Sequence, residues 1–467
     1  MKKSFVTLVL VVVLAFALLA SASAASFEHL ADELNALGLF RGTGDGYDLE
    51  RAPNRGEALV MLIRLYGLEE EALACESDVP FTDVSGWLVP YVAFAYENGF
   101  TTGKTATAYG PTDLCTAQMY VTFVLRALDY RDGDNGDFAY AKAVEFGMQK
   151  GIIDETINDG EFLRDQMVAV SYLALQAEPN GGEYDTLLDK LVAEGAVNAT
   201  AAASLAGKQA IMQEFMNAGL NLGDETRVAM NMNMKADIGP LGGISAKMDA
   251  GVDFGEDALS AMVLEVDMMG RKMVTETYTV DGVQYTNNDG VKTKMAVDAD
   301  ADPSGMEGML PLEGLTGFIS IPPYIFSEVT KETQGDLTVY KIKIADSLIA
   351  SMMDGVTGLI GGFDSGDMDL GALGLGGISP EDMDLSIKSH SIEYYADASG
   401  ALKKISVVIN MSMSMDMMGI KIPVPISISV TLEITAVGDA VEIVFPDDLD
   451  TYIDVSELVP PDAGGGE

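Results

Sequence analysis

The chain has 467 residues, of which 48% are hydrophobic and 21% are charged, and its 72 acidic and 28 basic residues give a formal net charge of -44. This length predicts two or three domains, and the composition excludes a globally disordered chain. Nucleic acids and anionic lipid surfaces are excluded as partners, because so acidic a chain repels them. The charge indicates a solvated, exported surface or, alternatively, weak calcium binding by clustered carboxylates.

Residues 1–24 are typical of an export signal peptide. Lys2 and Lys3 precede an apolar run over residues 8–20, and Ala22-Ser23-Ala24 forms a small-residue cleavage site. No cysteine follows the run, so the pattern does not predict a lipid anchor. No later apolar run is long enough to span a membrane. We therefore expect a secreted protein that is not membrane-spanning.

Residues 27–69 form the first of three similar units. Leu30, Leu34 and Leu37 predict a short helix that ends near Gly38, and a turn-rich loop leads to a second helix over residues 54–66. Asn54 and Glu57 have the spacing of a capping box, in which the two residues satisfy each other's backbone amides. The apolar positions behind this box share one helical face and are expected in the core.

The second unit, residues 80–130, opens with Phe81, Asp83 and Trp87, the only tryptophan in the chain. Pro90 favours a helix start, Gly99 favours its end, and Thr116 is predicted to cap a second helix. Arg126 on this helix corresponds to Arg64 on its counterpart in the first unit.

The third unit covers residues 137–176. Residues 147–153 are predicted to be its first helix, which ends in glycine. Leu163-Arg164-Asp165-Gln166 stands at the position of Asn54-Arg55-Gly56-Glu57, and the third unit has no tryptophan at its start.

This order of acidic and aromatic opening, helix, loop and capped helix resembles the S-layer homology repeat. The repeat reads FxDVxxxW, a helix ending in glycine, and a second helix opened by a Thr-Arg-Ala-Glu box. Residues 54–57 match the box, residues 163–166 keep its arginine, and Ala117-Gln118-Met119 of the second unit lacks it. Three units about 55 residues apart indicate an internal repeat whose units bury one another's faces.

The resemblance implies an all-α three-repeat module over residues 27–178, which holds secondary cell-wall polysaccharide in grooves between repeats. By that resemblance Trp87 would stack on sugar, and Arg55 and Arg164 would pair with acidic groups of the glycan. Each residue also has a plainer interpretation. Trp87 is alternatively a core aromatic, and the two arginines alternatively cap helices or pair with neighbouring acids.

The remaining polar features predict little chemistry. Cys75 and Cys115 lie in adjacent units and indicate either a disulfide or two separate buried thiols. Residues 132–137 lack the spacing of a calcium-binding EF-hand loop and are predicted to be a polar linker. His29 and His390 are the only histidines, and no hydrolase motif is present. We therefore expect no enzyme, no catalytic residues, no metal site and no cofactor.

The second half changes from helical to strand periodicity. Pro179 and the glycines at 181 and 182 mark a domain boundary, and residues 179–225 are predicted to be a linker and helical segment. Met230, Met232 and Met234 alternate with polar residues, as do the apolar positions of residues 405–415 and 426–434. This alternation predicts an antiparallel β domain over residues 226–450, with roughly eight to eleven strands and one wet face. Residues 451–467 are predicted to be a disordered tail.

Hairpin turns are predicted at Asp281-Gly282, Asp289-Gly290 and Ser399-Gly400. The glycine- and leucine-rich segments 305–317 and 348–377 are predicted to cover the apolar face of the sheet. This arrangement resembles the half-barrel fold of bacterial lipoprotein carriers, which implies that the methionine-rich concave face holds a lipid or another apolar ligand. The alternative is that these methionines only fill the core.

The sequence thus predicts an α+β multidomain protein, with a helical three-repeat module followed by a large curved antiparallel sheet. The predicted function is non-covalent anchoring to cell-wall polysaccharide at the cell surface, with the β domain displayed. The alternative is an extracytoplasmic carrier or sensor of an apolar ligand.

Overall fold

In the computed structural model the described residues form two compact units, which divide between Ala210 and Ile211. The first compact unit is helical and is called the helical unit below. The second is built on one sheet and is called the sheet unit. The α+β class is therefore confirmed. The predicted signal peptide and both predicted covering segments lie outside the described residues. The structure describes residues 27–42, 46–133, 135–158, 161–218, 226–239, 242–253, 255, 259–268, 270–296, 322–345, 383–417 and 420–455.

Nine α-helices are present in these ranges, and three successive pairs of them correspond to the three predicted units. The helices are α1 Glu28–Leu37, α2 Arg55–Leu65, α3 Glu69–Leu73, α4 Val89–Glu97, α5 Ala117–Ala127, α6 Ala143–Gln149, α7 Arg164–Gln176, α8 Leu187–Ala193 and α9 Ala199–Ala218. The pairs are α1 with α2, α4 with α5, and α6 with α7. The first helix of the third unit begins and ends earlier than predicted. Gly147 lies inside α6, where a side chain would collide with Val121, and Gly151, with a φ of 71°, follows the end of the helix.

Backbone hydrogen bonds join the capped helices of one repeat unit to the loop of another. The capping box of α2 is confirmed, because Asn54 Oδ1 accepts the Glu57 amide and Glu57 Oε2 accepts the Asn54 amide, both at 2.9 Å. The next two amides of α2 donate to Asp113 and Pro111 of the second unit's loop, at 2.8 and 3.0 Å. In the same way the loop of the first unit accepts the first two amides of α7. The first two amides of both α2 and α7 are therefore satisfied by the loop of another repeat unit.

The stretch predicted as a linker begins within the helical unit. The Leu187 amide donates to Ala177 O at 2.9 Å, and the Asn180 amide donates to Leu128 O at 2.8 Å. Leu187, Leu188 and Leu191 are buried. Proline and glycine therefore end α7 without ending the domain, and the division between the units falls inside α9.

The sheet unit contains a single sheet of twelve strands among the described residues. Strands β1 to β6 and strands β7 to β11 are two antiparallel meanders, and β1 pairs with β11 to join them. The strands are β1 Arg227–Asp237, β2 Gly243–Asp253, β3 Leu259–Met268, β4 Arg271–Val280, β5 Val283–Asn288, β6 Val291–Ala296, β7 Phe326–Gln334, β8 Leu337–Ile344, β9 Met383–Ala396, β10 Leu402–Met417, β11 Ile420–Val437 and β12 Ile453–Asp454.

The alternation predicted along the strands is confirmed. Met232 is 2% exposed and lies between Leu432 and Met248 in the register, whereas its neighbour Asn233 is exposed. The turns predicted at residues 281–282 and 289–290 are two-residue hairpin turns in which both residues have positive φ. That backbone geometry matches the twist of the flanking strands. Gly400 likewise has a positive φ, in the turn between β9 and β10.

Two details of the sheet differ from the prediction. The strands number twelve, and β12 pairs with β6 in parallel, so the described sheet is mixed. The ordered unit also extends past residue 450, since Tyr452 is 3% exposed and its ring lies 5.5 Å from that of Tyr285. A two-residue strand has no readable periodicity, which is why the sequence placed it in the tail.

Candidate functional site

Two grooves lie on the helical unit, and the three predicted polysaccharide-binding residues line them. Groove A encloses about 350 Å³ and is lined by Phe40, Glu57, Arg64, Trp87, Arg164 and Met167, among others. Groove B encloses about 770 Å³ and is lined by Arg55, Tyr109, Phe123, Arg126, Arg131 and Tyr140, among others. The structure thus brings Trp87 and Arg164 together and places Arg55 in a different groove.

Trp87 projects from the groove A surface. It lies in a short 3-10 helix, Gly86–Leu88, directly before α4, and 63% of it is exposed. Its ring meets the edge of the Tyr91 ring at 6.2 Å, and the Tyr91 hydroxyl donates to Glu69 Oε1 at 2.7 Å. The core interpretation of Trp87 is therefore wrong, and the exposed indole is free to cover the face of a flat ligand.

Arg164 is engaged by protein groups. Its Nη1 lies 3.0 Å from Glu57 Oε1, its Nε donates to Tyr47 O at 3.0 Å, and its side chain is 4% exposed. Its guanidinium carbon lies 5.0 Å from the centre of the Phe40 ring. Burial lowers the pKa of Arg164, and the charge of Glu57 opposes that shift. The interpretation in which the arginine pairs with a neighbouring acid applies to this residue.

Arg55 has the same position on α2 but different partners. Its guanidinium carbon lies 4.9 Å from the centre of the Tyr109 ring. Its Nε is buried without a hydrogen-bond acceptor, and no carboxylate of the described residues forms an ion pair with it. Because Arg55 lines groove B and has no acidic partner there, its guanidinium is suited to pair with an anionic group of a ligand.

Asp83 positions the aromatic ring beneath Arg55. Its two carboxylate oxygens accept the amides of Tyr109 and Gly110 at 2.9 and 2.8 Å. These two hydrogen bonds lower the pKa of Asp83. Gly110 has a φ of 75°, and a side chain there would meet Asp113. The acidic residue of the FxDV opening therefore orders the loop that carries Tyr109.

Sequence reasoning missed Tyr140 in groove B. It lies in the 3-10 helix Tyr140–Lys142 directly before α6, as Trp87 lies directly before α4, and it is 48% exposed. The Gln118 side-chain amide donates to its carbonyl at 2.8 Å. The sequence contained a signal for this residue, because an aromatic side chain follows Phe138 just before the first helix of the third unit. Only a tryptophan was sought at this position of the sequence, and the tyrosine was therefore missed.

Cys75 and Cys115 are separate free thiols. The Cys75 sulfur contacts Glu97 Oε2 at 3.5 Å, whereas Cys115 is 3% exposed and its sulfur contacts Thr116 O at 3.7 Å. Burial raises the pKa of the Cys115 thiol to about 12. The second of the two cysteine interpretations therefore describes the structure, although Cys75 is only half-buried.

Asp165, next to Arg164, is a buried carboxyl group that joins the third unit to the first. Its Oδ1 accepts the Phe27 amide at 2.6 Å, and the residue is 6% exposed. Burial raises the pKa of Asp165 to about 7, and the hydrogen bond from Phe27 opposes the shift.

This shift predicts how stability depends on pH. Below about pH 4 the group is protonated in both states, whereas between about pH 4 and 7 only the unfolded chain loses the proton, so stability falls. We expect Asp165→Asn to be more stable than the parent at pH 8, by roughly 2 to 4 kcal/mol, and nearly equal to it at pH 4. Denaturant unfolding followed by Trp87 fluorescence measures this, with the exposed Asp78→Asn as control. Equal stability of Asp165→Asn and the parent at pH 8 would contradict the prediction.

No family model matches the chain. The chain is 28% identical over 134 residues to a surface layer protein of Brevibacillus choshinensis, a match covering 27% of this chain and 12% of that protein. It is also 28% identical over 134 residues to a middle cell wall protein of Brevibacillus brevis, covering 27% and 13%, and 32% identical over 112 residues to an endoglucanase of a Bacillus species, covering 21% and 12%. The chain is thus weakly similar to surface-layer and cell-wall proteins, and it spans a small part of their length. Its resemblance to the S-layer homology repeat stays a prediction.

Two solved structures align with about half of the chain. LprF from Mycobacterium bovis gives a TM-score of 0.26 at 15% identity, over 52% of this chain and 97% of that one. A LolA superfamily protein from Nitrosomonas europaea gives a TM-score of 0.16 at 9% identity, over 52% and 97%. TM-scores this low carry no argument about what the sheet binds. No helix in the described ranges is long and apolar enough to cross a membrane.

Proposed function

We propose that this protein is held at the cell surface by its helical unit, which binds cell-wall polysaccharide in grooves A and B and so displays the sheet unit. The role is binding without catalysis. The observation that carries the proposal is Arg55, an arginine that lines groove B, stacks on Tyr109 and has no carboxylate partner among the described residues. The exposed rings of Trp87 and Tyr140 supply platforms for sugar faces in the two grooves.

Two further observations support this proposal. The partial similarity to a surface layer protein and a middle cell wall protein fits a location at the cell surface. The net charge of -44 argues that attachment uses specific cationic side chains, because the average field of the protein repels acidic polymers. An arginine without an acid partner in a groove provides such a contact.

The test is co-sedimentation of the purified mature chain with cell-wall sacculi, native or stripped of polysaccharide. We expect retention on native sacculi only, and a roughly tenfold or greater loss of affinity for Arg55→Gln, because a charge-assisted hydrogen bond contributes about 1.5 to 3 kcal/mol. Combining Arg55→Gln with Trp87→Ala is expected to abolish retention.

Arg271→Gln is the matched control, since it removes one exposed arginine from the sheet unit and leaves both grooves intact. It is expected to sediment as the parent does. Full retention of the double variant, or equal retention on stripped sacculi, would refute wall attachment through these grooves.

A second candidate function concerns the sheet unit. Five methionines of β1, β2 and β3 lie on one face of the sheet and are each 2 to 5% exposed: Met230, Met232, Met234, Met248 and Met262. Methionine side chains are flexible and polarizable, so a surface built from them accommodates apolar molecules of varied shape. This supports the proposal that the sheet unit carries a lipid or another apolar molecule.

Carriage predicts that an apolar molecule co-purifies with the protein. Native mass spectrometry of the purified chain, before and after organic extraction, is expected to show a bound mass that extraction removes. A chain that purifies without such a mass, and that does not take up a fluorescent fatty acid, would identify these methionines as core filler.

A further inference from the structure

Five buried methionines of the sheet unit lie on one face of the sheet, around Met248 at the middle of β2. Met232 on β1 lies directly opposite Met248 in the register. The other three stand at diagonal positions: Met230 and Met234 on β1 and Met262 on β3. Side chains directly opposite one another have Cβ atoms about 5 Å apart, and diagonal neighbours at about 7 to 8 Å are within reach of long side chains. These five residues, called the methionine cluster below, therefore place four thioethers within reach of a fifth.

Two alanines leave room for these side chains to converge. Met230 faces Ala250 across the pair of β1 and β2, and Met234 faces Ala246. Both alanines are buried, and they flank Met248 on its own strand. Because alanine ends at Cβ and methionine has three flexible bonds, each of the two methionines can extend over its partner toward Met248.

Filling the core does not require methionine at these positions. The other neighbour of β1 is β11, where Val430, Leu432 and Ile434 stand opposite the three methionines of β1. Aliphatic residues, β-branched ones above all, are the usual choice on a buried pleated surface, and β11 uses them on the same face. What the methionine cluster adds to such a surface is the sulfur atom of each side chain.

We propose that the methionine cluster binds a soft monovalent metal ion, Cu(I), through its thioether sulfur atoms. Thioethers select Cu(I), whereas Mg²⁺ and Ca²⁺ take oxygen ligands. The described part of the chain holds no group of three or more His, Cys, Asp or Glu side chains that could bind a metal ion. The small number of histidines, which led us to expect no metal site, does not bear on thioether ligands. This inference stands independently of wall attachment and of the carriage of an apolar molecule.

The surroundings of the methionine cluster suit such an ion. Its side chains are each 2 to 5% exposed, so water competes little with the sulfur atoms. A thioether is uncharged, so the bound ion keeps one positive charge, which the net charge of -44 on the chain favours. A thioether also has no proton to lose on binding, unlike a thiol or an imidazolium. We therefore expect the affinity to be the same at about pH 5 and about pH 8.

Ag(I) is the probe, because it is a soft monovalent ion with the ligand preference of Cu(I) and is not oxidised in air. The protein is the full mature chain carrying Cys75→Ser, which removes the half-buried thiol. Cys115 is kept, since it is 3% exposed and burial raises the pKa of its thiol to about 12, so little thiolate is present. Ag(I) nitrate is added in chloride-free buffer, and binding is followed by calorimetry and native mass spectrometry.

The deciding variant combines Met232→Leu with Met248→Leu. Leucine keeps the volume and the apolar surface but removes the two sulfur atoms at the centre of the methionine cluster. We expect this variant to bind Ag(I) at least about tenfold more weakly than the parent at the tightest site. Its far-ultraviolet circular dichroism and its uptake of a fluorescent fatty acid should stay as in the parent. Met295→Leu is the control, because Met295 is 49% exposed on β6, outside the cluster, and its loss should leave the tightest site unchanged.

Equal Ag(I) affinity of the double variant and the parent would overturn the proposal. An affinity that rises steeply with pH would also overturn it, because that result assigns the ion to the Cys115 thiolate. If the double variant does not fold, the parent labelled with carbon-13 in its methionine methyl groups decides the matter. A group of methyl signals that moves together with Ag(I) supports the site, and signals that stay in place refute it. A parent that takes up no fatty acid would refute carriage and leave this site standing.

Discussion

Replacing Glu57 with alanine is expected to destabilise the helical unit by roughly 3 kcal/mol or more. The change removes the capping-box acceptor of α2 and leaves Arg164, whose side chain is 4% exposed, without its carboxylate. Arg51 loses its bidentate partner at the same time and keeps Asp48 as its acidic partner. Because the Glu57–Arg164 pair joins the first unit to the third, its loss loosens the contact between them. Denaturant unfolding followed by Trp87 fluorescence gives the free energy of unfolding.

Glu71→Ala is the matched control for this substitution. Glu71 is an exposed carboxylate in α3, and its removal is expected to change stability by less than about 0.5 kcal/mol. If Glu57→Ala unfolds at the same denaturant concentration as Glu71→Ala, the contacts of Glu57 do not hold the first and third repeat units together.

Replacing Met232 with aspartate is expected to unfold the sheet unit at room temperature. Met232 is 2% exposed at the middle of β1, and its partners in the register, Leu432 and Met248, are 4% and 2% exposed. No basic residue flanks it in that register, so the new charge would be buried without a partner, at a cost of several kcal/mol. Since β1 pairs with both β2 and β11, the substitution disrupts strand pairing at the place where the two meanders join.

The readout separates the two units. Loss of the β signal in far-ultraviolet circular dichroism reports the sheet unit, whereas Trp87 emission reports only the helical unit. Asn233→Asp is the control, because it places the same charge one residue away on the exposed face, beside Lys247 in the register. We expect that control to keep its sheet. A folded sheet in Met232→Asp would show that the methionine face is open to water.

Several parts of the fold were predictable because their causes are local. The capping box of α2 needs only the three-residue spacing from Asn54 to Glu57, and the hairpin turns need only Asp-Gly pairs that tolerate positive φ. The two faces of β1 follow from the side-chain period of two residues. The exposed position of Trp87 was one of two open interpretations, because sequence spacing does not report which side of a helix start faces solvent.

The pairing of distant charges was not predictable. Arg164 and Glu57 are 107 residues apart in the sequence. Arg55 and Arg164 hold the same position in their four-residue boxes, and nothing in that position indicates that Arg164 would pair with a carboxylate while Arg55 would not. The difference arises because the first unit's loop, with Arg51, lies against the start of α7, whereas the loop against the start of α2 comes from the second unit. The position of Tyr140 in groove B depends on the same packing.

The sequence by itself thus determined the helix caps, the turns, the strand faces and the candidate side chains, since each depends on residues a few positions apart. The tertiary structure decided which unit's loop meets which helix, where the two compact units divide within α9, and that β1 lies beside β11. Those choices depend on the burial of apolar faces and the pairing of charges between segments far apart in the chain, and no local spacing encodes them.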